Sequence, residues 1–178
     1  MHVDLFITNI ARLLTCSAAH GALRGAALRE AQIIENAAIA IMDGRIVALG
    51  TTEHLHDYTA ITVVNATGLI AMPGFVDPHT HVCYAGDRAD EFALRIAGAT
   101  YQELMAAGGG IMSTVRATRA ASRAELVAQT RTRLDRMLKH GTTTVEIKTG
   151  YGLDVAHEIA MLEALAELEQ SHRISIVP

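Results

Sequence analysis

From residue 74 onward, short apolar runs alternate with segments of helical periodicity, and this alternation restricts the fold more than any other feature. "GFVD" at 74–77 reads as a buried strand, and the segments that follow read as helical, then Gly-rich, then helical again. Ser122 with Glu125 forms a capping box, after which Leu126, Thr130, Leu134, Met137 and Leu138 recur at helical spacing until Gly141 stops the helix. "TTTVEIKT" is the next strand. Asp154 caps a further helix whose Ile159, Leu162 and Leu165 are expected to share a face, and "RISIVP" is strand-like. The order β, α, β, α, β implies an α/β fold with parallel strands joined by right-handed crossovers. In such a sheet functional groups collect at the carboxyl ends of the strands. The two unusual segments, "DPHTH" after "GFVD" and "KTGYG" after "TTTVEI", therefore fall on one edge.

Residues 1–72 read differently. Val3, Leu5 and Ile7 alternate with polar or smaller neighbours, "AAIAIM" and "RIVALG" flank Asp43-Gly44, and "ITVV" and "LIAM" flank "NATG". Asp-Gly supplies the positive φ angles of a type I′ hairpin turn, so this region is expected to be a small antiparallel β module, with the second unit running over 73–178.

Composition excludes several classes. In a chain of 178 residues, 50% hydrophobic and 19% charged, there is enough apolar material for a sizeable core. The formal charge is −4 and the arginines are scattered among acids and alanines, which argues against nucleic acid as a partner. No apolar run reaches the roughly 18 residues of a membrane span, and the first residues lack the basic start of a signal peptide. Cys16 and Cys83 form no CxxC pair, so no disulfide framework is indicated. A cytoplasmic protein is expected.

His79-Thr80-His81 carries the strongest chemical signal. Side chains at i and i+2 of an extended segment point the same way, so two imidazoles can face one cation, with Asp77 in the same parity. Neutral imidazole suits zinc or iron at about 2.0–2.1 Å. Among nine histidines an HxH pair is unremarkable in itself, and placement after a buried strand is what favours a metal site. Arg88 offers a forked guanidinium suited to a substrate carboxylate, or else a salt bridge to Asp87, Asp90 or Glu91. Cys83 shares the parity of the histidines if the chain stays extended, but a buried packing role is favoured.

"AAGGGIMST" at 106–114 lacks the Lys of a P-loop, leaving a mobile loop over the site or simple helix punctuation. Glu146 and Lys148 share a strand face opposite Val145 and Ile147, where they can pair with each other or with groups near a metal. Tyr151, between two glycines, either faces a ligand or packs on the next helix.

"PGFVDPHTH" resembles the first barrel strand of the amidohydrolase superfamily. Together with "AGDRADEFALRIAGATYQELMAAGGGIMSTVRATRAAS" and "GTTTVEIKTGYGLD", the sequence resembles the imidazolonepropionase family through essentially its whole length. The resemblance implies a (β/α)8 barrel carrying a small β-sandwich, with 1–72 as the N-terminal part of the sandwich and 73–178 as the first strands and helices of the barrel. It implies one zinc or iron (Zn2+ or Fe3+) per complete site and metal-assisted hydrolysis of 4-imidazolone-5-propanoate to N-formimidoyl-L-glutamate in histidine degradation. By the same resemblance His79 and His81 are metal ligands, and Arg88 and Tyr151 bind the substrate, Arg88 through its propionate.

A (β/α)8 barrel takes about 250 residues, and the family's remaining metal ligands and catalytic glutamate lie on later strands. The expectation is an N-terminal part with an incomplete barrel, with no catalytic residue assigned, weak metal binding and little activity of its own. Two alternatives stand beside it. One is another cyclic amidohydrolase, hydantoinase-like or dihydroorotase-like, for which Lys148 lies on the wrong strand to be the bridging lysine. The other is a non-catalytic fragment that self-associates through an open strand edge, as a homo-oligomer.

Overall fold

A computed structural model describes residues 1–18 and 21–178. The chain divides into two compact units, Met1–Pro73 and Gly74–Pro178.

The first unit is one five-stranded sheet. Its central strand β1 (His2–Leu14) pairs antiparallel with β2 (Ile33–Met42), which pairs antiparallel with β3 (Arg45–Thr51). Asp43 and Gly44 join β2 to β3 with φ of 51° and 69°, the left-handed pair that a type I′ turn requires. Successive side chains of β2 face opposite ways, so Ala38 and Ala40 pack with Val3 and Phe6 while Ala37 and Ile39 pack with Ile10 and Leu13. Both faces of this strand are therefore buried. Between Ile7 and Ile10 the register shifts at Asn9, whose φ is 57° and whose side chain donates to Asn65 at 3.1 Å.

The expected antiparallel module is corrected at β4 (Thr59–Asn65) and β5 (Ile70–Ala71), which do not pair with each other. Both run parallel to β1, along its other edge. The long β1 offers unpaired groups beyond the end of β4. "NATG" is a bend that carries the chain onward along that edge, with Ala66 donating to Thr8 at 2.8 Å and Ala11 to Leu69 at 2.9 Å.

The second unit has three parallel strands in the order β6 (Phe75–Thr80), β7 (Thr142–Ile147) and β8 (Ser175–Val177). Helices α1 (Ala89–Ile96), α2 (Tyr101–Ala106), α3 (Ile111–Ala120) and α4 (Arg123–Lys139) lie between β6 and β7, and α5 (Val155–Ser171) lies between β7 and β8. Val145 and Ile147 of β7 enter a core with Leu126 and Leu134 of α4 and Met161, Leu165 and Leu168 of α5. Ser122 and Glu125 cap α4 reciprocally, and Asp154 accepts from the His157 amide at the start of α5. A second capping box, Thr100 with Glu103, starts α2.

Ile159, Leu162 and Leu165 lie on one side of α5, but only Leu165 of the three is buried. Met161, Ala164, Leu165 and Leu168 form the buried stripe, whereas Ile159 and Leu162 remain 50% and 44% exposed. Leu165 belongs to both spacings, and the 161/164/165/168 stripe is the one that enters the core with β7 and α4.

Candidate functional site

The carboxyl ends of β6 and β7 meet where Thr80 pairs with Ile147 and the Lys148 amide donates to the Thr80 carbonyl at 2.9 Å. This register sets His79 and His81 beside the "KTGYG" segment. The two imidazoles lie edge to face with ring centroids 5.3 Å apart, and the Asp77 carboxylate accepts from the His79 amide at 3.4 Å. Tyr151 stands edge-on to His81 at 5.9 Å and to Tyr84 at 5.8 Å, forming a continuous aromatic row from His79 to Tyr84. Beyond it, Tyr84, Asp87, Arg88, Thr114 and Tyr151 line a cavity of about 220 Å³.

Two imidazoles with ring centroids 5.3 Å apart are close enough to fit as part of a nitrogen-donor set for zinc or iron. Among the described residues no group of three or more His, Cys, Asp and Glu side chains gathers into a fuller site. Glu146 stands behind the pair. One of its oxygens is ion-paired with the Lys148 ammonium and the other lies 4.0 Å from Nδ1 of His79. Glu146 thus pairs with the like-faced lysine directly and approaches the histidine at longer range.

Of the two readings of Arg88, the structure shows the salt bridge, and its partner is Glu91. Its Nε and Nη2 donate to one Glu91 oxygen at 2.9 and 2.6 Å, while Nη1 has no hydrogen bond among the described residues. Glu91 also accepts from the Gly110 amide at 3.0 Å. The Arg88 guanidinium and the Gly110 amide together hold the Glu91 carboxyl below its ordinary value, and Glu91 in turn pushes the Arg88 guanidinium up. The Gly-rich segment is thereby tied to the residue that lines the cavity.

Cys83 is fully buried in the core of the unit, and burial pushes its thiol up, against the smaller opposing effects of the Thr130 hydroxyl and Arg133. The chain leaves the strand at Thr80, which ends the shared parity with the histidines.

Several residues of this region were not visible from local sequence. Arg133, on α4, donates through Nη1 to the Val82 and Tyr84 carbonyls at 3.2 and 2.6 Å, and its guanidinium carbon lies 3.6 Å from the Tyr84 ring centre. Thr118 of α3 accepts from the Ala85 amide at 3.1 Å, and Gln129 from the Gly86 amide at 3.1 Å. These contacts span 33 to 51 residues of sequence, which no local pattern encodes. Tyr84, an aromatic three residues after His81, was the one local signal.

The chain is 64% identical over 177 residues to the imidazolonepropionase of Herpetosiphon aurantiacus, covering 99% of this chain and 41% of that protein. It belongs to the imidazolonepropionase family. The imidazolonepropionase of Symbiobacterium thermophilum is 49% identical over 180 residues, covering 99% of this chain and 42% of that protein. The chain thus spans about two fifths of the length of the curated relatives it matches. No family model matches it. Among solved structures, guanine deaminase of E. coli superposes with a TM-score of 0.58 at 18% identity, over 92% of this chain and 35% of that one. Atrazine chlorohydrolase of Arthrobacter aurescens, solved in complex with zinc, gives 0.50 at 18% identity over 92% and 33%. The fold is the N-terminal part of an amidohydrolase-type (β/α)8 barrel with a small β-sandwich, the barrel being incomplete in these 178 residues.

Proposed function

We propose that this chain supplies part of the active site of an imidazolonepropionase, a hydrolase that opens the ring of 4-imidazolone-5-propanoate to N-formimidoyl-L-glutamate. Residues 1–72 belong to the sandwich and 73–178 to the first strands and helices of the barrel. The observation that carries the reading is the position of Tyr151, whose ring touches His81 on one side and lines the Arg88 cavity on the other. A substrate lying along Tyr151 would present its ring toward His79 and His81 and its propionate toward Arg88. Relatives that share 64% and 49% of these residues carry the corresponding name, and a fold neighbour was solved with zinc.

In this reading His79 and His81 hold a zinc or iron ion. When bound, that ion supplies Lewis acidity, polarising the ring carbonyl and lowering the pKa of water. The chain's own residues bind and orient. Arg88 is fixed by Glu91 with Nη1 left over for the carboxylate, and a planar fork held at a fixed angle loses little freedom on binding. Tyr151 and Tyr84 form an apolar wall that excludes water from one side of the ligand. In this reading the enzyme acts on a small-molecule substrate in the cytoplasm.

The test is turnover by the longest polypeptide that carries these residues, given 4-imidazolone-5-propanoate, hydantoin and dihydroorotate in parallel. Loss of imidazolone absorbance with the first substrate alone is expected. Turnover of hydantoin or dihydroorotate in its place would overturn the assignment.

A further inference from the structure

We propose that Glu158, in the first turn of α5, is the positioning residue for Tyr151. The proposal rests on the reading of Tyr151 as a ligand-contacting residue, and goes beyond it by naming what holds that ring in place.

The segment 149–154 has no regular hydrogen-bonding partner of its own. Gly150 has a φ of 138° and Leu153, a non-glycine residue, has a φ of 54°. Such conformations persist only where surrounding contacts impose them. Glu158 imposes them here, because its Oε1 accepts from the Gly152 amide at 2.8 Å and from the Leu153 amide at 2.7 Å. Both bonds are charge-assisted, and they bracket the residue immediately after Tyr151. From α3, Arg119 closes the other side, with Nε donating to the Gly152 carbonyl at 2.6 Å and Nη2 lying 3.1 Å from Asp154.

The approach is close enough to demand glycine. A Cβ on Gly152 would stand 2.6 Å from the Glu158 nitrogen and 2.8 Å from the His157 carbonyl carbon. The loop therefore rests directly on the first turn of α5, within reach of the Glu158 carboxylate, which accepts from two of its amides. Burial alone would raise the Glu158 carboxyl. The Thr149 hydroxyl and the Leu153, Gly152 and Gly150 amides outweigh it and hold the group below its ordinary value.

Glu158 Oε2 is shielded from solvent and has no hydrogen bond of good geometry among the described residues, the Thr149 hydroxyl and Gly150 amide being weaker partners of the carboxylate. A half-satisfied carboxylate is a costly way to stabilise a loop. What it gains is position, since the loop so fixed presents Tyr151 to His81 and Tyr84 at once.

The experiment compares Glu158→Ala, Glu158→Asp and Glu158→Gln with the parent protein. In the 178-residue chain, NOE contacts of the Tyr151 ring with His81 and Tyr84 are measured. In the longest polypeptide that carries these residues, KM and kcat for 4-imidazolone-5-propanoate are measured. E158A, and E158D whose acid is one methylene short, lose the Tyr151 contacts and raise KM about tenfold with kcat nearly unchanged, the signature of lost uniform binding. E158Q keeps an oxygen at the same reach and restores both. If E158A does not fold, E158D decides. Tyr151 contacts that survive in E158D overturn the proposal whatever the kinetics. Contacts that vanish in a protein with no imidazolone turnover support the positioning role and refute the proposed function instead.

Discussion

Thr118 and Thr130 present the same substitution in two environments, and the structure gives the two valine variants opposite signs. Thr118, on α3, is 3% exposed, and its hydroxyl accepts from the buried Ala85 amide at 3.1 Å. Valine fills nearly the same volume but leaves that amide without a partner, which costs about 1–3 kcal/mol. Thr130, on α4, is fully buried and its hydroxyl has no hydrogen bond of good geometry, the Cys83 thiol beside it being at most a weak partner. Valine there removes a desolvated hydroxyl that gains nothing in return. The expected change is from zero to a stabilisation of about 1 kcal/mol. The separation between the variants is therefore about 2 kcal/mol, more than a tenfold difference in the unfolding equilibrium. Urea unfolding of the 178-residue chain, followed by far-ultraviolet circular dichroism, resolves it as a shift of midpoint at constant slope. Equal losses in both variants, or a larger loss at Thr130, would show that the hydrogen-bond account of this core is wrong.

Two further outcomes follow from the charges. The Asp154 carboxyl is held below its ordinary value by the His157 amide and side chain, and Glu158 is likewise depressed. A depressed carboxyl contributes stability that is present above its unfolded pKa and lost as pH falls through the folded one. Urea midpoints should thus fall as pH drops below about 4, and Asp154→Asn should flatten that decline; an unchanged slope refutes the assignment. Arg88→Lys replaces a fork by a point charge, so affinity for the propionate-bearing ligand should weaken about tenfold while an analogue lacking the carboxylate binds as before. Calorimetric titration reads both, and equal losses for the two ligands would remove Arg88 from the carboxylate site.

Features whose determinants lie within a few residues were legible from sequence. Ser122 with Glu125, Asp154 before α5, and Asp43-Gly44 each act through contacts at most four residues away, and each stands in the structure where local chemistry puts it. The pairing of β4 and β5 was not legible, because it depends on β1 running 13 residues and offering one long edge to both. The buried face of α5 was ambiguous for a related reason. Its apolar residues allow two stripes, and only packing against β7 and α4 selects one. In the candidate site, Arg88 and Tyr151 were singled out by the family resemblance, whereas His79 and His81 stood out by residue type and by their place at a strand end. Arg133, Thr118 and Glu158 did not, since an arginine, a threonine and a glutamate on amphipathic helices read as ordinary surface or core residues until the loops they hold are seen.

The central claim is that His79 and His81 act as one pair of metal ligands at the end of β6. The most direct measurement is the imidazole nitrogen spectrum of the chain during titration with zinc. Resonances of His79 and His81 should move together with a single midpoint, and the Tyr151 ring against His81 should report the same event, while His54 and His56 on the first unit stay unmoved. Separate midpoints for His79 and His81, or zinc taken first by His54 and His56, would contradict the account.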